Sequence, residues 1–175
     1  MLIREPQNRF EEIYAIYEES FIDQERRTKE SQKLVFHNPA YHTLAVEEDG
    51  RIMAFLGYWD LSECAFFEHL ATAKISRGKG YGRLLIEEAV KEIKKPVFLE
   101  IEPVTEENPA TGKRAVFYER LGFYVNHFYY EQMPLKPQDS PMQLWVTSYG
   151  KPFTEEEFMP YKKEIYEIVY GVNLS

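Results

Sequence analysis

One cysteine, Cys64, is all the thiol this 175-residue chain contains. A single thiol excludes an internal disulfide and any cysteine-based metal site, which suits a reducing compartment. Basic residues are also in deficit, 21 against 29 acidic ones for a formal charge of −8. That balance disfavours nucleic acid or an anionic membrane as the main partner, since both reward a basic footprint. No stretch approaches the roughly 20 apolar residues of a membrane span. The opening Met1-Leu2-Ile3-Arg4-Glu5-Pro6 lacks the apolar run of a signal peptide. The expectation is a cytoplasmic protein with no metal, no nucleic acid and no membrane among its partners. Internal repeats and low-complexity tracts are absent as well.

What is present is enough apolar surface for a core. Hydrophobic residues make up 44% of the chain, aromatic residues 15%, with 13 Tyr and 12 Phe. This predicts one domain over residues 1–175, with a core to about residue 133 and an extension over 134–175. Phe10, Ile13, Ile16, Tyr17 and Phe21 recur at helical spacing, and residues 29–36 form a second helix. The charged run Asp23-Gln24-Glu25-Arg26-Arg27 between them reads as a solvated loop.

Tyr41 to Val46 and Ile52 to Tyr58 read as strands, with Glu47-Glu48-Asp49-Gly50-Arg51 between them as a hairpin turn, and Ala65 to Ala73 continues the sheet. A helix then carries Leu84, Leu85, Ala89, Val90 and Ile93 and stops at Lys94-Lys95-Pro96. Pro96 to Ile101 is a strand expected to lie parallel to the one before it. Residues 103–113 read as a loop and Arg114 to Leu121 as a helix ending at Gly122. Phe123 to Met133 and Gln143 to Tyr149 read as strands. Thr154 and Glu157 have capping-box spacing at the start of a last helix, 154–170.

Between the third strand and its helix lies Arg77-Gly78-Lys79-Gly80-Tyr81-Gly82. A diphosphate needs backbone N–H donors at close range and a positive partial charge, and a glycine-rich turn at a helix N-terminus provides both. Arg77, Lys79 and Arg83 add positive potential to an otherwise acidic chain. Neither a Walker A loop nor a G-x-G-x-x-G fingerprint is present. A turn that merely caps a helix is the bland alternative.

Leu70-Ala71-Thr72, then Arg77-x-x-Gly80-x-Gly82, then Ala115-Val116-Phe117-Tyr118-Glu119-Arg120-Leu121-Gly122-Phe123, occur in the order of the GNAT superfamily of N-acetyltransferases, which the chain resembles over roughly residues 1–130. The resemblance implies an α/β fold with a mixed, mostly antiparallel sheet flanked by helices, here with a C-terminal strand-helix extension. It implies acetyl-CoA as co-substrate, with Leu70, Ala71 and Thr72 along pantetheine and the hexad from Arg77 to Gly82 on the pyrophosphate. Many members have Asn three residues before the helix alanine. Here that position is Gly112, and Asn108 is the substitute from the loop.

Transfer to an amine needs a neutral nucleophile and a proton for the departing thiolate. Tyr118 matches the family position whose phenol protonates sulfur. For the base, strict alternation puts Glu68 on the face of Leu70, slightly ahead of Glu100, which sits where some members carry a glutamate. His37, His42, His69 and His127 show no metal-ligand spacing. The acceptor expected is a primary amine on a small cationic molecule. The alternatives are a non-catalytic CoA-binding or sensing module, and an interaction protein whose C-terminal strand and helix form a homodimer surface.

Overall fold

A computed structural model describes residues 1–174. Seven strands form one sheet in the order β1 (Leu2–Arg4), β2 (Tyr41–Glu48), β3 (Arg51–Asp60), β4 (Ala65–Thr72), β5 (Val97–Ile101), β9 (Trp145–Tyr149) and β6 (Phe123–Asn126). Only β4 and β5 run parallel; the other neighbours are antiparallel. The β2–β3 hairpin turns at Asp49 and Gly50 with φ of 51° and 75°, the left-handed pair that matches strand twist in a two-residue loop.

Five helices cover the sheet. Helices α1 (Phe10–Ser20), α2 (Lys29–Phe36) and α5 (Glu155–Ile168) pack on one face around Tyr17, Phe36, Trp59, Phe98 and Phe158. Helices α3 (Tyr81–Glu92) and α4 (Pro109–Arg120) pack on the other around Leu85, Ile86, Phe67 and Leu99. The Thr154 and Glu157 capping box starts α5 as expected. No helix among the described residues is long and apolar enough to cross a membrane.

Three elements differ from the sequence reading. Helix α4 begins at Pro109 rather than Arg114, because the Asn108 side chain accepts the Ala110 N–H as N-cap and Pro109 fits the first helical turn. The strand expected over 123–133 breaks after Asn126. There the buried Asn126 side chain donates to Ser148 and accepts the Phe153 N–H. Glu131–Gln132 (β7) then pairs with Met142–Gln143 (β8) in a separate ribbon. Finally, the C-terminal strand read as an extension lies inside the sheet: β9 is inserted between β5 and β6.

Candidate functional site

The parallel pair β4–β5 is in register only from Ala65↔Val97 to Phe67↔Leu99. Beyond Phe67 the strands diverge, leaving one edge of β4 unpaired along Glu68 to Thr72. The Glu68 side chain is only 4% exposed although the residue as a whole is half-buried, so its exposed part is main chain. An open strand edge inside a cleft offers N–H and C=O groups to an extended ligand. The cleft at this split has a volume of about 960 Å³.

Leu70, Ala71 and Thr72 line it along β4, and Arg77, Gly78, Gly80, Tyr81 and Gly82 line it at the start of α3. Gly78 and Gly80 both have φ of 81°, and nothing lies within 4 Å of where a Cβ would stand at either. The backbone there is open to close approach by a ligand at the helix N-terminus. Lys79 is the exception among the six: its ammonium pairs with Glu48 at 2.9 Å, and it does not line the cleft. The Tyr81 hydroxyl donates to the same carboxylate at 2.9 Å. Asn108 lines the cleft while serving as the α4 cap.

Tyr118 reaches the cleft from α4, 9% exposed and packed edge-on against Phe117 and Phe123. Burial pushes its phenol up to about 12, with Arg114 pulling weakly the other way. Among the described residues no protein group hydrogen-bonds its hydroxyl.

The two glutamates have different surroundings. Strict alternation fails at Glu68, because the β3–β4 register jumps from Gly57↔His69 to Tyr58↔Phe67 and leaves Glu68 as a bulge residue. The bulge turns Glu68 away from the face of Leu70 and towards α1 and α2, together with His69. There it meets Arg27 at 2.8 Å and accepts the Trp59 indole N–H at 2.8 Å. Burial alone would raise its pKa, but the Arg27 charge, His69 and these hydrogen bonds hold it below the ordinary carboxylate range. Glu68 is thus a locked structural anion. The same pair corrects the reading of residues 23–27 as a solvated loop: Arg27 is in the core, and it also donates to Gln32 and to the Val169 carbonyl.

Glu100 faces the cleft from β5 with no cation against it. Burial pushes its carboxyl up to about 7, opposed by the hydrogen bond from Tyr170 and by the nearby Tyr130 phenol. Its Oε2 is out of contact with solvent and has no hydrogen-bond partner.

Sequence reasoning missed the far end of the cleft, where Phe21, Ile22 and Glu25 from the segment after α1 face Gln132, Leu135 and Leu144. Buried Lys136 ties these two segments together, donating to the carbonyls of Asp23 and Arg26 and lying 3.3 Å from Asp139. Residues more than 100 positions apart meet here, so no local pattern announces the site. A further groove of about 600 Å³ beside α4 is rimmed by Arg83, Lys113 and Arg120.

A model of the acetyltransferase (GNAT) family matches residues 10–123. YjbC of Bacillus subtilis, assigned as an acetyltransferase, is 34% identical over 107 residues, which is 60% of this chain and 55% of YjbC. The chain thus spans about half the length of that curated relative. A solved Bacteroides thetaiotaomicron structure assigned to the GNAT family superposes with a TM-score of 0.84 at 27% identity, covering 99% of both chains. The PaiA N-acetyltransferase of Thermoplasma acidophilum, solved in complex with coenzyme A, superposes with a TM-score of 0.61 at 15% identity over 85% of this chain and 97% of its own, a likeness of fold. On the family match, together with the split sheet and the glycine turn, the chain belongs to the acetyltransferase (GNAT) family.

Proposed function

We propose that the protein transfers the acetyl group of acetyl-CoA directly to a primary amine of a small, cationic acceptor. The observation that carries this reading is the convergence on one cleft of an unpaired β4 edge, a left-handed glycine turn, a protonated phenol and a buried carboxyl titrating near neutrality. Pantetheine lies along Leu70 to Thr72 and the pyrophosphate against the turn from Arg77 to Gly82. Arg83, Lys113 and Arg120 give the adjoining groove the charge to receive the nucleotide phosphate.

Glu100 Oε2 accepts the proton of the amine, whose nitrogen attacks the thioester carbonyl carbon. The C–S bond breaks, and Tyr118 donates its hydrogen bond to the departing sulfur. A carboxyl near 7 is suited to a base at neutral pH. A phenol near 12 holds its proton until the thiolate forms, and with a thiol pKa of roughly 8.5 its main service is hydrogen bonding in the transition state. Glu25 and Glu102 also line the cleft, which together with the net charge of −8 favours a cationic acceptor.

The test is a panel of amines screened for thiol release from acetyl-CoA. Release that depends on one class of small cationic amine is expected. Tight CoA binding without thiol release across the panel would point instead to a binding or sensing module.

A further inference from the structure

The carboxyl of Glu100 is held from a part of the chain that the first 130 residues do not contain. Tyr170, two residues beyond α5, donates its hydroxyl to Glu100 Oε1. Its ring packs edge-on against Phe66 of β4 and Tyr166 of α5, at centroid distances of 6.4 and 6.1 Å. The chain on both sides of it is pinned. The Val169 carbonyl accepts from Arg27 at 3.4 Å and the Val172 N–H donates to the Tyr166 carbonyl at 2.8 Å.

We propose that Tyr170 is a positioning residue for acetyl transfer, fixing the Glu100 carboxyl so that Oε1 is committed to the phenol and Oε2 is left for the acceptor amine. The segment after α5 thereby completes the catalytic site. The inference rests on Glu100 as the proton acceptor.

Three features support this role. First, the two oxygens of Glu100 are unequal: Oε1 accepts from Tyr170, and the buried Oε2 has no hydrogen-bond partner. A buried polar atom without a partner in a cleft wall is the natural place for a substrate donor. Second, the groups that act most strongly on Glu100 are Tyr170 beyond α5, Tyr130 beyond β6, Glu68 of β4 and Glu25 before α2. Arg27 is bound to Glu68, and the cation that acts on Glu25 is Arg114. With no cation paired to it, Glu100 depends on the Tyr170 phenol to be ionised at neutral pH, since a hydrogen bond to the charged form favours it. Third, Arg27 binds both Glu68 and the carbonyl of Val169, so the ion pair of the core also sets the position of the residue just before Tyr170.

The experiment follows the Glu100 carboxyl directly, by ¹³C-detected NMR titration with E100Q for assignment, beside the pH dependence of kcat/KM. Tyr170→Phe is compared with Tyr166→Phe, which removes a hydroxyl from α5 that bonds the Glu131 carbonyl and leaves Glu100 alone. In Y170F the carboxyl titration and the acid limb of the rate profile should both move up by about one pH unit, as loss of a hydrogen bond to the charged form requires. In Y166F both should stay in place. An unmoved titration in Y170F, or an equal shift in both variants, overturns the positioning role. A titration that moves in Y170F while E100Q keeps full turnover overturns the base assignment, and the positioning role with it.

Discussion

Arg27 and Glu68 form an ion pair at 2.8 Å with both side chains 4% exposed, joining the segment before α2 to the bulge in β4. Breaking such a pair leaves an uncompensated buried charge. Arg27→Gln should therefore destabilise the fold by about 3–5 kcal/mol, whereas replacing both residues with apolar ones of similar volume should recover much of that loss. Urea unfolding of the single and double variants measures both. A single variant as stable as wild type would show that the pair is not what holds the segment.

Two buried groups oppose one another in the dependence of stability on pH. Burial pushes His69, 3% exposed, down to about 4, and pushes Glu100 up to about 7. The neutral histidine adds stability above its unfolded value of about 6.5, and loses it as pH falls towards 4. The neutral carboxyl adds stability below its unfolded value near 4.5, and loses it as pH rises towards 7. Between 4.5 and 6.5 the two slopes oppose one another, so wild type should vary less with pH than either variant. Glu100→Gln should uncover a loss of about 3 kcal/mol on acidification from pH 6.5 to 4, and His69→Gln a loss of similar size on raising pH from 4.5 to 7. Denaturant unfolding across pH tests this, and parallel curves for all three proteins would refute it.

Tyr118→Phe should lower turnover by about 10²-fold while leaving the affinity for acetyl-CoA nearly intact, the pattern of a proton or hydrogen-bond donor used in the transition state. Steady-state kinetics with calorimetry of cofactor binding separates the two. Undiminished turnover removes Tyr118 from the mechanism.

Gly80→Glu should abolish acetyl-CoA binding, by forcing a side chain into the left-handed conformation at φ of 81° and placing a carboxylate at the helix N-terminus proposed for the pyrophosphate. Ordinary affinity by calorimetry would mean that the pyrophosphate lies elsewhere.

Much of this was legible in the chain itself. Helical and strand periods located α1, α3, α5 and the strands β2 to β5, and the glycine turn and the segment of Phe117 and Tyr118 held residues that line the cleft. The misreadings came from features without a local signature. A one-residue bulge at Glu68 reversed the face that alternation assigned it, and so exchanged the standing of the two glutamates. Arg27 looked solvated because its partner lies 41 residues away. The Asn108-Pro109 pair does carry a helix-start signal, an N-cap followed by proline at the first helical position, which the loop-forming residues around it mask. The insertion of β9 between β5 and β6 depends on long-range pairing, which no window of sequence encodes.

The measurement that bears most directly on the proposed chemistry is the pH dependence of kcat/KM for Glu100→Gln beside Glu68→Gln, with the best acceptor amine from the panel. E100Q should lose about 10²-fold or more at neutral pH together with the acid limb near 7, while E68Q should keep that limb and lose stability instead. An acid limb that survives in E100Q and vanishes in E68Q would contradict the account.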